Sequence, residues 1–288
     1  MPSDPQFDRT TQDVGNILSL EHVNTTVPDQ LLAQFFYVTG MGFTRDPYMD
    51  FGLANMWINL GEEQFHLPVR DAQVLRGHTG IVVPSIADLK TRLSRVEKPL
   101  NGTEFSWAEE NEHLSVTCPW GNQLKVFGPG AYGDRALGMP YVRFDVPVGT
   151  AAGIARFYEQ VMGAPSAVVV NAEEAAMAQV AIGCGQKLEF SETDATLPDY
   201  DGHHVAVYVA NLSRAHGILN EHGLVTEDTI ENQYRFQTIF DPDSGDALFE
   251  IEHEVRSLHH PMHERNLVNR NATQSFATYQ RGGDAFVG

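Results

Sequence analysis

The sequence predicts an α+β protein made of four βαβββ modules, and three observations carry that prediction. The segment Phe36-Tyr37-Val38-Thr39-Gly40-Met41-Gly42 returns as Phe157-Tyr158-Glu159-Gln160-Val161-Met162-Gly163, with Ala33 and Ala155 preceding the two aromatic pairs. An extended apolar segment opens each copy, over 18–27 and 141–148. Within each copy the order strand, helix and three strands occurs twice.

In chain order, the first module opens with a strand over 17–27. A helix over 28–38 follows, with Asp29 at its start and an apolar stripe at Leu31, Leu32, Phe35 and Phe36. Strands near 43–48, 53–60 and 64–68 complete the module. The second has a strand at 78–83, a helix at 86–93, and strands near 104–107, 113–118 and 123–127. The last two are joined by the turn Pro119-Trp120-Gly121-Asn122. The third runs 141–148, helix 151–161, then strands near 167–171, 176–182 and 187–191. The fourth has a strand at 204–209, a helix at 212–221, strands near 226–230 and 234–240, the turn Asp241-Pro242-Asp243-Ser244-Gly245, and a last strand at 247–252. Residues 128–139, with four glycines and Pro129, read as a linker. The expected organisation is an N-terminal extension (1–16), a first domain (17–128, modules 17–68 and 77–128), a linker (129–140), a second domain (141–254, modules 141–191 and 203–252) and a C-terminal tail (255–288).

Composition narrows the function. The 288 residues are enough for two cores, and the 42% hydrophobic content is that of a globular chain. No apolar run approaches the ~20 residues that span a bilayer, and the start lacks the basic and apolar stretches of a secretory signal. Cys118 and Cys184 form no CxxC motif or disulfide framework. A cytoplasmic location is therefore expected, with no membrane partner. A formal charge of −19 repels phosphate backbones and disfavours nucleic acid. The expected partner is a small molecule, and the sequence leaves room for a homodimer.

Four βαβββ units of about fifty residues, paired into halves, resemble the vicinal oxygen chelate superfamily of glyoxalase I, extradiol dioxygenases, and fosfomycin- and bleomycin-resistance proteins. The resemblance runs from Ile17 to about Glu252. It rests on Leu20-Glu21-His22-Val23-Asn24, the two Phe-Tyr…Met-Gly helix ends, Gly77-His78-Thr79-Gly80-Ile81 and the two turns above. It implies two cup-shaped, glyoxalase-like domains. It also implies metal ligands on the first and last strands of the modules, which here are His22, His78, Arg143 and His204, and His66, Lys125, Glu189 and Glu250. Lys125 and Arg143 carry no lone pair at neutral pH. If neighbouring modules pair, as in extradiol enzymes, each cup holds one of these cations. If the first pairs with the fourth and the second with the third, as in single-chain glyoxalase I, ligands and cations sort completely. The crossed pairing is favoured for that reason.

On this reading His22, His66, His204 and Glu250 hold one divalent metal (Fe, Mn, Ni or Zn), with Glu250 or His66 as catalytic base. Glu252 shares Glu250's strand face and is the competing carboxylate; separately, a one-residue bulge after Ser244-Gly245 would change which side of the strand faces the cup. The resemblance implies a metal-dependent enzyme on a small oxygen-bearing substrate, by lyase, isomerase or dioxygenase chemistry. The alternative is a non-catalytic binding or sequestration protein of the bleomycin-resistance type, without metal. The ring-cleaving pattern is incomplete: no histidine lies between Val225 and Phe240, and Thr238 stands where that family places a tyrosine. His259, His260 and His263 are expected on a surface tail.

Overall fold

A computed structural model describes residues 7–50, 52, 54–170, 175–183 and 185–266. The first module contains β1 (Ile17–Asn24), α1 (Gln30–Ala33), β2 (Thr44–Asp50), β3 (Asn55–Leu60) and β4 (Glu63–Pro68). The second contains β5 (Gly77–Val82), α2 (Ile86–Val96), β6 (Ser106–Glu109), β7 (Leu114–Thr117) and β8 (Gln123–Phe127). The third contains β9 (Gly138–Pro147), α3 (Ala151–Phe157), β10 (Ser166–Val170), β11 (Ala176–Ile182) and β12 (Gln186–Thr193). The fourth contains β13 (His204–Val209), α4 (Leu212–Glu221), β14 (Val225–Ile230), β15 (Gln233–Phe240) and β16 (Ala247–Ser257).

Local chemistry explains the helix starts. The Asp29 carboxylate accepts from the backbone N–H groups of Leu31 and Leu32, at 2.8 and 3.1 Å. Ser85 Oγ accepts from Asp88 N at 3.1 Å, and Asn211 caps α4 through Arg214 N at 3.2 Å. Each satisfies amides that a first turn leaves unpaired. The duplicated motif has a common geometry: α1 and α3 continue as π-helical turns, Gln34–Gly40 and Tyr158–Met162. The wider turn carries Phe36, Tyr37 and Tyr158 into the core, where all are fully buried. Gly163 ends the second copy at φ 70°, the left-handed conformation that favours glycine.

The strands form two eight-stranded sheets. One runs β14-β15-β16-β13-β1-β4-β3-β2, the other β10-β11-β12-β9-β5-β8-β7-β6. The first module therefore joins the fourth through antiparallel β1 and β13, and the second joins the third through β5 and β9. This is the crossed arrangement. It means that the division into halves at the linker is not the division into sheets, since each sheet takes one module from each half. Glu63 helps hold the sheets together. It pairs with Arg135 of the linker (2.6 Å) and accepts from Gln186 of β12 (2.7 Å), whose own Oε1 receives Leu20 N of β1 (3.2 Å).

Candidate metal centre

At the centre of the first sheet, β1 and β13 bring their histidines together. β1 has a register shift between Leu20 and His22 against β13. The extra residue lets two consecutive side chains, Glu21 and His22, reach one face. The register sets Asn24 opposite both His204 on β13 and His66 on β4. The result is three imidazoles, His22, His66 and His204, with one nitrogen each within 4.8 Å of the others. His22 Nε2 and His204 Nε2 are 3.4 Å apart. Two nitrogens on one tetrahedral ion at ~2.0–2.1 Å lie roughly 3.4 Å apart, so this spacing fits a shared ion.

The proton positions also fit. His22 Nδ1 contacts the Glu21 carboxylate, so that nitrogen carries the proton and Nε2 offers its lone pair. His66 Nδ1 lies 2.6 Å from the Asn24 side-chain amide, while His66 Nε2 is buried without a hydrogen-bond partner. The Asn24 Nδ2 faces that nitrogen; turning the amide so that Oδ1 accepts Nδ1–H leaves His66 Nε2 its lone pair for a metal. Burial first, and then His22 and His204, push the His66 imidazole well below its ordinary value. Burial also takes His204 down to about 4. Both rings are therefore neutral at pH 7, the form that binds metal.

Glu250 is not brought to this cluster. Its side chain is exposed, its residue pairs with Thr238, and its carbonyl accepts from Arg76. The parallel register sets His204 level with Glu252, and β16 continues five residues past the strand end expected at 252. The carboxylates beside His204 are thus Glu252, 3.4 Å from Nδ1, and Glu254, 3.5 Å from Nε2. Glu254 is 2% exposed and contacts both Arg235 and Arg256. Burial works to raise its carboxyl, but Arg256, His204, His22 and Arg235 outweigh burial and hold it well below the carboxylate range. Glu21 behaves alike: against burial, Arg256 (2.7 Å) and His22 bring it down to about 2.

Several of these groups were not singled out from sequence: Glu21, Asn24, Arg235, Glu254 and Arg256. A signal existed. Glu250, Glu252, Glu254 and Arg256 place a charge at every second residue of a strand whose other face is Ile251, His253 and Val255. Tyr208 is buried, and its hydroxyl lies 3.4 Å from Glu21. Trp57 stacks on His66, with ring centroids 4.0 Å apart, and Met262 of the tail packs with Trp57 and Met49. The tail is therefore not free surface as far as residue 266: Arg265 makes a buried ion pair with Asp46, and His263 packs on Tyr208 at 4.8 Å.

No family model matches the chain, and no curated protein matches it in sequence. Solved structures do. Glyoxalase I from Zea mays aligns over 87% of this chain and 95% of its own, with a TM-score of 0.58 at 13% identity. A candidate dioxygenase from Bacillus subtilis subsp. subtilis str. 168 aligns over 94% and 92%, with a TM-score of 0.59 at 14% identity. The chain has the vicinal oxygen chelate fold.

The fold's second cup has a different chemistry. Arg143 of β9 pairs with Glu189 of β12 at 2.8 Å, and Glu189 also accepts from Gln179. Lys125 does not reach Glu189, and among the described residues it makes no ion pair. His78 Nε2 lies 3.1 Å from the Tyr141 hydroxyl. Gly80 makes room for that ring, since a Cβ there would fall 2.2 Å from Tyr141 Cε1. Burial, Lys125 and Arg143 push the His78 imidazole down to about 3.

Proposed function

We propose that this chain is a metal-dependent enzyme. It would act on a small oxygen-bearing substrate by lyase, isomerase or dioxygenase chemistry, with His22, His66 and His204 holding one divalent ion and Glu254 beside them. The observation that carries this reading is the cluster of three imidazoles, two of them, His66 and His204, held neutral chiefly by burial and one with an orphaned Nε2. A cup without metal leaves that nitrogen unsatisfied in the interior, at a cost of about 1–3 kcal/mol. That weighs against the alternative of a metal-free binding protein. The donor set of imidazoles and one carboxylate suits Fe(II), Mn, Ni or Zn.

Bound there, such an ion supplies Lewis-acid stabilisation of the anion that develops on a neighbouring substrate oxygen. The chain's own groups do the rest. Glu21 fixes the His22 tautomer, and Asn24 fixes His66. Arg235 and Arg256 keep Glu254 and Glu21 ionised. The cup walls hold three carboxylates, Glu21, Glu252 and Glu254, against two guanidiniums, Arg235 and Arg256. A divalent ion turns that single net negative charge into a single positive one, which suits a monoanionic ligand.

The test is metal content. Full-length protein purified without added metal should carry about one equivalent, and His204→Ala should carry none. Stoichiometric metal in His204→Ala would refute the site. Ring cleavage is the least expected of the three chemistries, because the fourth module lacks the histidine and tyrosine of that pattern. Anaerobic loading with Fe(II), followed by oxygen and catechol, should give little yellow product. Robust turnover would restore the dioxygenase reading.

A further inference from the structure

The second sheet has an open face of its own. Residues two apart on a strand share a face. The register therefore sets Lys187, Tyr141, Gly80, Lys125 and Ser115 in one row across five strands. Gln179, Glu189, Arg143 and His78 form the next row on that face. The opposite face carries Leu124, Val126, Phe144, Leu188 and Phe190, all buried. The open face gathers three cations against one carboxylate among the described residues, in a chain whose formal charge is −19. His78, whose imidazole is neutral, adds no charge. The carboxylate is fully engaged: Glu189 Oε2 receives Arg143 at 2.8 Å, and Oε1 receives Gln179 at 3.0 Å. Lys187 Nζ lies 3.2 Å from Gln179 Oε1. Lys125 is half-buried and makes no ion pair among the described residues, and Glu110 and Glu112, in the turn before β7, are exposed. Beside Lys125 stands an aromatic wall. Phe127 is two residues along the same strand, and Tyr132 of the linker packs edge-on against it, with centroids 5.1 Å apart. The Tyr141 ring lies over Gly80, leaning from β9 toward the strand of Lys125, 5.8 Å from Tyr132 and 6.5 Å from Phe127. Phe127 and Tyr132 are only half-buried, so their rings remain within reach of a ligand.

We propose that this second cup is a metal-independent binding site for an aromatic monoanion, with the carboxylate on Lys125 and the ring on Phe127, Tyr132 and Tyr141. The unmatched ammonium supplies a charge-assisted hydrogen bond with no neighbouring free carboxylate to compete for it. The three rings supply edge-to-face and offset contacts for a fourth. The site lies in the other sheet from the imidazole cluster, so it stands or falls apart from the metal reading.

The probe is para-fluorophenylacetate, titrated into full-length protein stripped of metal by a chelator and followed by fluorine NMR line broadening. It should bind saturably. The matching amide, which keeps the ring and loses the charge, should bind about tenfold or more weakly. Acetate, which keeps the charge and loses the ring, should compete poorly with the probe. Lys125→Met keeps the apolar stem and should also cost about tenfold or more, while Tyr132→Ala should cost roughly threefold. Native urea midpoints in both variants would show that they are folded. His204→Ala should bind the probe as the native protein does. Absence of saturable binding, equal binding of acid and amide by the native protein, or unchanged affinity in folded Lys125→Met would overturn the proposal. Loss of binding in His204→Ala with retention in Lys125→Met would put the anion in the first cup and overturn it as well.

Discussion

At the scale of single residues, the site depends on which nitrogen of each imidazole is occupied. Glu21 engages His22 Nδ1, and Asn24 lies 2.6 Å from His66 Nδ1. Such partners orient a ligand and raise its basicity, and losing one typically weakens metal binding by about 10–100-fold. Asn24→Ala should therefore lower metal affinity within that range in competition with a chelating dye, while one equivalent still binds at saturation. Unchanged affinity would mean that Asn24 has no part in holding His66. Arg256 has a different role. It lies between Glu21 and Glu254, both buried. Arg256→Met leaves two interior carboxylates short of a counter-charge. It should lower unfolding stability by about 3–5 kcal/mol in urea melts, more than any loss of packing volume explains.

At the scale of elements, two strands decide what the cup contains. The bulge in β1 puts Glu21 and His22 side by side, which a regular strand cannot do, since successive side chains alternate. The extension of β16 to Ser257 brings Glu254 and Arg256 level with Ala206 and Tyr208. The expectation for Glu250 failed here. Glu250 and Glu252 read as one strand face in sequence, but the position along β13 depends on where the parallel pairing begins, and the strand runs on to Ser257. The segment after β16 makes a testable link to the site. Asp46→Asn and Arg265→Gln each break one buried pair, so either should raise amide exchange in peptides covering 258–266 and leave β4 peptides protected. Equal protection in both variants would show that Met262 alone anchors the segment.

At the scale of the molecule, the crossed sheets divide the site between the halves of the chain. His22 and His66 come from one half, His204 and Glu254 from the other. Fragments ending before Gly138 or starting there should each fail to retain stoichiometric metal. Full retention by either fragment alone would contradict the shared cup. Acid response is also a property of the whole. Burial, the main cause, takes His253 down to about 4 from an ordinary 6.5; its Nε2 lies 2.5 Å from the Tyr158 hydroxyl. His78 is taken to about 3. The unfolded chain binds these protons first, so stability is complete above pH 6.5 and falls as pH drops toward 4. His253 alone is worth roughly 3 kcal/mol across that interval. Glu21, depressed to about 2 from 4.5, adds a further loss below pH 4.5. Urea midpoints should fall steadily from pH 7 to pH 4 in metal-free protein, and His253→Gln should flatten the upper part of that slope. A flat native profile would mean that these imidazoles are hydrated.

The sequence by itself determined the module order, the duplicated aromatic motif and the histidines on the first strands of the modules. These are local matters of apolar period, capping and turn chemistry, written in adjacent residues. It also favoured the crossed pairing through charge, because Lys125 and Arg143, which offer no lone pair, then share one cup and the candidate ligands the other. Only the tertiary structure decided which acid stands beside His204, that Glu21 faces the cup with His22, that Lys125 stays apart from Glu189, and that Met262 and Arg265 dock on the first module. Each of these turns on register, bulges or contacts between segments distant in sequence. A shift of one residue in a strand sends a side chain to the opposite face, and nothing local in the sequence fixes that shift.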